Sequence, residues 1–267
     1  MPMDTKLSEP QPPQVIAPDA DHERAGADDR RLPVTGHLEE LRRRLWVCVG
    51  AILLGSGLSF AWTGQLIDWL KRPAGALLPR LTFFSPPEAL LAYMKVAVMA
   101  GLVLCVPIVL SQLWAFVRPG LARKERSHGL AFIWWGSALF LAGGAFAYWV
   151  ILPVSLRFLL AFGGGQLEPV ISISRYLSFT TMVILACGVV FQWPLVVFLL
   201  AKLGVIRPQA LRRKWRHAVV GMVVVGAILT PTTDVATLML MTVPMLVLYE
   251  VSIWIARIAA LRPRRDA

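Results

Sequence analysis

The chain has 267 residues, of which 57% are hydrophobic and ten are tryptophan, and its mean hydropathy is +0.63. A single soluble core could not bury so much apolar surface, so the composition excludes a soluble domain and indicates an integral membrane protein. The net charge of +11 would suggest a nucleic-acid partner in a soluble protein. Here the basic residues fall in short segments between apolar runs, where they set orientation and contact anionic membrane lipid, so we exclude nucleic acid.

The amino-terminal region is polar and precedes the first apolar run. Residues 1–34 are predicted to be a disordered cytoplasmic tail, because the first 36 residues contain six prolines, seven acidic side chains and no apolar run. Residues 35–45 have leucines at spacings of three and four, which predicts an amphipathic helix on the membrane surface, capped by Thr35 or Gly36. Three arginines before an apolar run also resemble a cleavable export signal. We interpret the run as a permanent helix, because no convincing small-x-small site follows it and five more runs do.

Six apolar runs predict six membrane-spanning helices, since about 20 apolar residues cross the ~30 Å hydrocarbon core. The fifth run, residues 218–229, would be only ~18 Å long as a helix, so the last two spans are predicted to form a short hairpin. The fold class is therefore all-α, with a polytopic membrane domain at 35–258 and a basic cytoplasmic tail at 259–267. The six runs are 45–62, 90–117, 129–152, 177–203, 218–229 and 235–255.

The distribution of basic residues predicts the orientation. Segments that we place in the cytoplasm carry three, four, six and four lysines and arginines, whereas segments placed outside carry three, two and none. The bias has one sign throughout, so both termini are predicted to be cytoplasmic. The cytoplasmic segments are 42–44, 118–126, 202–216 and 257–265.

Two pairs of residues stand out near or within the spans. Glu88 and Lys95 are seven residues apart, roughly two helical turns, and are candidates for an ion pair. They follow a polar, proline-rich connection at residues 63–88. Gln192 and Pro194 lie well inside the fourth run and mark either a kink or a site, with the kink favoured.

The sequence offers no residue pattern for catalysis, metal binding or a cofactor. Three cysteines fall in apolar runs without paired spacing and are predicted to be small core residues, and four histidines lie in the tail, at loops or at interfaces. Zinc-protease, serine-hydrolase and paired-aspartate patterns are lacking, so we exclude an intramembrane enzyme. The cysteines are Cys48, Cys105 and Cys187, and the histidines are His22, His37, His128 and His217.

Glu125 is the lone acid in a basic loop that follows the second run. The loop begins at Arg118-Pro119-Gly120 and carries further bases on both sides of the glutamate. Glu125 pairs with Arg123 or Arg126 as a solvated ion pair, or it receives a cation from outside the chain. The loop composition leaves both interpretations open.

Several motifs, in their order along the chain, resemble the TatC family, the multispanning receptor subunit of the twin-arginine protein translocase. The most specific is QLWAFVRPGL at 112–121, followed by KER at 124–126. HLEELRRRL at 37–45 and PPEAL at 86–90 match as well, and the resemblance covers about residues 35–258. It implies that folded proteins with twin-arginine signal peptides dock at the cytoplasmic face of a prokaryotic inner membrane, with transport driven by the proton-motive force.

The resemblance also implies roles for individual residues. Glu40, Glu125 and Arg126 would bind the signal peptide. The two carboxylates suit arginine, because the planar guanidinium can form two parallel hydrogen bonds to a carboxylate, whereas the ammonium group of lysine is only a point charge. The implied partners are single-span subunits of the TatA and TatB type and further copies of the chain within the receptor complex. Residues with implied folding or assembly roles are Arg42, Pro73 and Pro119, and those implied to contact partner helices are Gln192 and Asp234.

This sequence departs from the family pattern at two places. Gln192 stands where many members have a glutamate, which puts any role that needs ionisation in doubt. Ala236, Thr237 and Leu238 occupy a region that often carries a Ser-Gln pair.

The alternative function is an ion-coupled small-molecule transporter, for which Glu250 is the sole ionisable candidate within a span, and no internal repeat supports it.

Overall fold

The computed structural model describes residues 34–77, 81–121, 126–161, 170–206, 208–229 and 235–260. In this part of the chain every regular element is a helix, and the one β-bridge pairs Thr82 with Ser172. The helices are α1 (Val34–Phe60), α2 (Thr63–Lys71), α3 (Pro86–Val117), α4 (Gly129–Phe146), α5 (Leu152–Ala161), α6 (Ile173–Val190), α7 (Trp193–Lys202), α8 (Pro208–Arg213), α9 (Trp215–Leu229) and α10 (Val235–Ala260). The all-α prediction is confirmed.

Five helical segments of the described chain are long and apolar enough to cross a membrane, and a sixth, Trp215–Ile228, is apolar but shorter. The expectation of a short fifth span is therefore right, since α9 has 15 residues. The expectation that the sixth span is also short is wrong, because α10 has 26 residues and continues through Pro244. The predicted tail at 1–34 lies outside the described residues except for Val34.

The chain divides into two units, residues 1–40 and 41–267. Helix α1 runs without a break from Val34 to Phe60, so the predicted surface helix is not an element separate from the first span. Thr35 and Gly36 lie inside this helix and do not cap it. In the second unit Leu41 and Leu45 are exposed, so they are not covered by the rest of that unit.

The connection between the first two spans contains more structure than expected. Helix α2 buries Thr63, Ile67 and Leu70, which recur at spacings of four and three on one face. A 3₁₀ segment, Arg72–Leu77, follows and includes Gly75 at a φ of 46°. Polar residues on the opposite face of α2 hid this pattern, and the expectation of a polar, proline-rich connection did not include the helix.

The third span continues beyond its predicted end at residue 152. A π-helical turn, Ala147–Ile151, follows α4 and leads directly into α5, which ends at Ala161. Pro153 lies in the first turn of α5, where its missing N–H and its ring are tolerated next to the widened π turn. The helix therefore continues through Pro153, past residue 152, where the apolar run predicted its end.

The fourth span breaks where Gln192 and Pro194 predicted a kink. Helix α6 ends at Val190, Phe191 and Gln192 form a turn, and α7 begins at Trp193. Pro194 occupies the first turn of α7, where no backbone donor is needed. The kink is confirmed, although the span begins at Ile173 and not at residue 177.

Helices α3, α4 and α6 pack on one another, and α10 packs along α7. The largest apolar cluster centres on fully buried side chains from α2, α3, the π turn and α6, including Leu70, Val96, Ile151 and Leu177. Cys105 and Cys187 are buried free thiols, as predicted, whereas Cys48 is half-buried.

Small residues bring α1 and α3 into close contact. A Cβ atom built on Gly101 would lie 2.3 Å from the backbone nitrogen of Ser56, and one on Gly55 would lie 2.8 Å from Cys105 Sγ. Cys105 Sγ in turn approaches the carbonyl oxygen of Ala51 at 3.1 Å. Because the Ser56 nitrogen is backbone and cannot move aside alone, Gly101 is required for this crossing.

We expect Gly101→Ala to lower the free energy of unfolding by about 1–3 kcal/mol, the usual penalty for overpacking a tight contact. Gly57→Ala is the matched control, because a Cβ on Gly57 in α1 meets no atom within 4 Å. Thermal unfolding of both variants in detergent measures the difference. Equal melting temperatures for the two variants would contradict the assigned contact.

Candidate functional site

The loop between α3 and α4 is anchored at its first end. Arg118–Gly120 form a 3₁₀ turn directly after α3, closed by the bond from Leu121 N to Arg118 O at 3.1 Å. The Leu121 side chain is 5% exposed and belongs to an apolar cluster that includes Leu199 of α7. A Cβ on Gly120 would lie 3.2 Å from Leu203 Cδ2, so the turn rests against the end of α7.

Arg126 anchors the second end of the same loop. Its Nε donates to the carbonyl oxygen of Leu121 at 3.3 Å, and its Nη2 donates to that of Pro119 at 3.4 Å. These bonds tie residue 126 to the turn at residues 119 and 121. Sequence reasoning assigned Arg126 to ligand contact and missed this positioning role, which depends on the backbone of the turn.

An aromatic pair supports the loop from the membrane side. Trp114, in the last turn of α3, is 6% exposed, and its ring lies 4.9 Å from that of Phe132 in α4, centroid to centroid. A Cβ on Gly129 would lie 2.5 Å from Trp114 Nε1. The start of α4 can therefore approach the tryptophan only because residue 129 is glycine.

The structure describes only one of the two acids that were predicted to bind the ligand. Glu40 is half-buried in α1 and Glu39 beside it is exposed. Glu125 lies outside the described residues, as does Asp234. That Glu40 and Glu125 act together on one ligand therefore stays a prediction.

The three residues with predicted folding or assembly roles occupy different settings. Arg42 is exposed on α1, and Pro119 is exposed and offers its carbonyl oxygen to Arg126. Pro73 is half-buried in the 3₁₀ segment after α2, where it lines a cavity together with Trp69 and Tyr148. Pro73 therefore belongs to the end of α4 opposite the loop after α3.

Gln192 bridges the break between α6 and α7 to the facing helix. Its Nε2 donates to the carbonyl oxygen of Gly136 in α4 at 2.9 Å. Its Oε1 is buried and accepts no hydrogen bond from the described residues. A buried acceptor without a donor is unfavourable by about 1–3 kcal/mol.

Glu88 and Lys95 of α3 were predicted to pair with each other, and the structure gives both of them other partners. Glu88 does not pair with Lys95; instead Glu88 accepts a hydrogen bond from Ser172. Lys95 Nζ donates to Ser178 at 2.8 Å and to Ser174 at 3.2 Å. The i, i+4 spacing of Ser174 and Ser178 on α6 was the available sequence signal.

Metal binding and ion-coupled transport can both be compared with the residues that the structure describes. Among them no group of three or more metal-ligating side chains occurs. Glu250, on which the transporter alternative depended, is exposed on α10 and lines a cavity whose other lining residues are all apolar: Leu246, Val247, Val251, Trp254 and Ile255. These neighbours do not make a polar binding site for an ion or a solute.

We expect Arg126→Gln to loosen the loop, because two hydrogen bonds to backbone carbonyls are lost. Arg118→Gln removes the same charge from the same loop and serves as control. The measurement is tryptic cleavage at Arg123 and Lys124 in detergent, with a severalfold faster rate expected for Arg126→Gln. Equal cleavage rates for the two variants would contradict the anchoring role.

Comparison with known proteins places this arrangement in a family. Residues 36–244 match the family described as Sec-independent protein translocase protein (TatC). The Sec-independent protein translocase protein TatC of Carboxydothermus hydrogenoformans is 38% identical over 230 residues, covering 86% of this chain and 95% of that protein. The Aquifex aeolicus protein of the same description is 37% identical over 232 residues, covering 85% and 96%.

The solved structures agree. A crystal structure of the twin-arginine translocase receptor TatC has a TM-score of 0.73 to this chain at 35% identity, and the match covers 84% of this chain and 99% of that one. The family match, the relatives and the shared fold all lead to one conclusion: this chain belongs to the TatC family of Sec-independent protein translocase proteins.

Proposed function

We propose that this chain is the receptor subunit of a twin-arginine translocase and binds the twin-arginine signal peptide of folded proteins at the cytoplasmic face. The observation that carries the proposal is the loop after α3, whose family-specific motif at 112–121 ends in a turn anchored by Leu121 and Arg126. The anchoring supports recognition, because Arg126, the residue that follows Glu125 in the sequence and that we include in the binding site, is held against the turn. A pre-positioned binding group binds with a smaller entropy penalty than a mobile one.

Two carboxylates on a strongly basic chain suit a ligand with two adjacent guanidinium groups. Glu40 and Glu125 would each accept paired N–H donors from one arginine, a geometry that lysine cannot reproduce. The surrounding bases, among them Arg42 and Arg118, would repel a polycation that lacks this bidentate match. Selection then rests on hydrogen-bond geometry as well as on charge.

The protein would lie in the inner membrane of a prokaryote. The excess of basic residues on alternate segments supports an orientation in which both termini and the loop that carries Glu125 face the cytoplasm. In this orientation the signal peptide reaches the receptor before its cargo crosses. Transport of the folded cargo would draw on the proton-motive force. A transmembrane potential of 100 mV is equivalent to ~2.3 kcal/mol per elementary charge.

Gln192 supports a role in assembly with single-span subunits of the TatA and TatB type, and with other copies of the chain in one receptor complex. Its Oε1 is buried without a donor from the described residues, beside the break in the fourth span. A polar side chain on a partner helix would satisfy this oxygen. Asp234, between α9 and α10, is proposed as a second partner contact.

We expect Glu40→Gln and Glu125→Gln each to reduce crosslinking of a twin-arginine signal peptide by at least tenfold, since loss of one partner of a charge pair costs about 2–5 kcal/mol. Glu39→Gln, adjacent to Glu40 and exposed, should leave crosslinking unchanged. Photocrosslinking in membrane vesicles, with a twin-lysine peptide as negative control, provides the measurement. Full crosslinking in both acid variants would refute the binding assignment.

We expect Gln192→Leu to weaken co-purification with the single-span partners severalfold while signal-peptide crosslinking persists. Leucine has a similar volume but no acceptor oxygen, so it removes the polar contact without opening a cavity. Leu185→Met, a swap of similar volume in a half-buried residue of α6, is the control for the neighbouring helix. Partner recovery equal to that of the control would exclude the Gln192 contact.

A further inference from the structure

Two cavities meet on the surface formed by α2, α3 and α4. The larger has a volume of about 550 Å³ and is lined almost entirely by apolar side chains, with Leu66, Val103, Leu104 and Phe140 among them. The smaller, about 380 Å³, contains Arg72. The two share Trp69, Tyr148 and Trp149, so they adjoin at these residues; we call the pair the groove, with the cation Arg72 at one end.

The wall between the two parts is rigid. The rings of Trp69 and Tyr148 stack with centroids 3.9 Å apart and planes 3° from parallel. Tyr148 also donates its hydroxyl hydrogen to the carbonyl oxygen of Trp69 at 2.8 Å, which fixes α2 against the π turn. Trp149 beside them is 69% exposed. Exposed tryptophan next to a cation is typical of the level where hydrocarbon meets lipid headgroups.

The larger cavity has the depth of one membrane leaflet. Along α4 and the π turn this cavity extends from Trp149 to Phe140, nine residues or about 13 Å of helix. The hydrocarbon of one leaflet is about 15 Å thick, half of the ~30 Å core. A membrane-spanning partner helix would run the full thickness and is about 10–12 Å wide, so it would not fit this half-depth groove.

The charge at the mouth selects the headgroup. Arg72 is exposed, and its guanidinium can donate two parallel hydrogen bonds to a phosphate. The neighbouring base, Lys71, forms an ion pair with Asp68 at 3.3 Å. A zwitterionic headgroup carries its own cation close to the phosphate and competes with Arg72, whereas an anionic headgroup does not.

We propose that this groove binds one anionic phospholipid, with an acyl chain along α4 as far as Phe140 and the phosphate against Arg72. The lipid belongs to the leaflet at the α2 end of the protein. Bound there, it would cover the Trp69–Tyr148 stack and stabilise α2 against α4, because a ligand that binds only the folded state raises stability. This inference does not depend on signal-peptide binding.

Native mass spectrometry of the full chain in detergent, titrated with phosphatidylglycerol, tests the proposal. We expect one retained lipid, and at least tenfold weaker retention of phosphatidylcholine. Arg72→Gln should reduce phosphatidylglycerol retention about tenfold, whereas Arg175→Gln, exposed and outside both cavities, should not. Equal retention by these two variants would overturn the headgroup assignment.

A second pair of variants tests the acyl groove. Ala145→Phe places a ring in the larger cavity and should reduce retention of both lipids, while Ala142→Phe, exposed on the same helix and outside the lining, should not. The melting temperature should rise with added phosphatidylglycerol for Ala142→Phe and remain constant for Ala145→Phe. Unchanged retention in Ala145→Phe, or displacement of the lipid by inorganic phosphate, would overturn the proposal.

Discussion

A helix that breaks within a bilayer must satisfy its exposed polar groups inside the protein, because hydrocarbon provides neither donors nor acceptors. The break at Phe191 and Gln192 is where this constraint falls on the fourth span. Gln192 bonds the break to α4, and α7 after the break packs along α10. The far end of α7 reaches the turn at Gly120 and Leu121 and so supports the loop that carries Glu125.

The two ends of α4 have different chemistry. Its first residue, Gly129, packs against Trp114 below the anchored loop, where we place recognition of the signal peptide. Its other end continues into the π turn, where Tyr148 stacks on Trp69 beside Arg72. The end assigned to the signal thus depends on carboxylates that accept a cation, and the end assigned to lipid on a guanidinium that holds an anion. One helix connects them.

The sequence predicted the spans because long apolar runs report directly on burial in a membrane. Prediction from the sequence failed where one residue type is compatible with two local structures. The third span was expected to end at residue 152, just before Pro153, but the π turn before the proline allows the helix to continue. Helix α2 was hidden because only three of its nine residues, Thr63, Ile67 and Leu70, are buried. Helix ends and short helices depend on neighbours that periodicity alone does not identify.

Side-chain partners were harder to predict than helices. The spacing of Glu88 and Lys95 allowed a pair on one helix, yet Lys95 bonds to serines of α6 and Glu88 bonds to Ser172, the residue before that helix. The bond from Gln192 to Gly136 joins residues 56 positions apart, and no local pattern indicates it. The family motifs identified the region of the candidate site, but the anchoring of its loop by Arg126 required the backbone positions of Pro119 and Leu121.

We propose that Glu40 and Glu125 together receive the arginine pair of a signal peptide. A structure of this chain bound to a twin-arginine signal peptide in a lipid environment would test the proposal. We expect one guanidinium within hydrogen-bond distance of each carboxylate, about 2.7–2.9 Å from nitrogen to oxygen. Arginines bound elsewhere, or the two glutamates on opposite sides of the membrane, would contradict it.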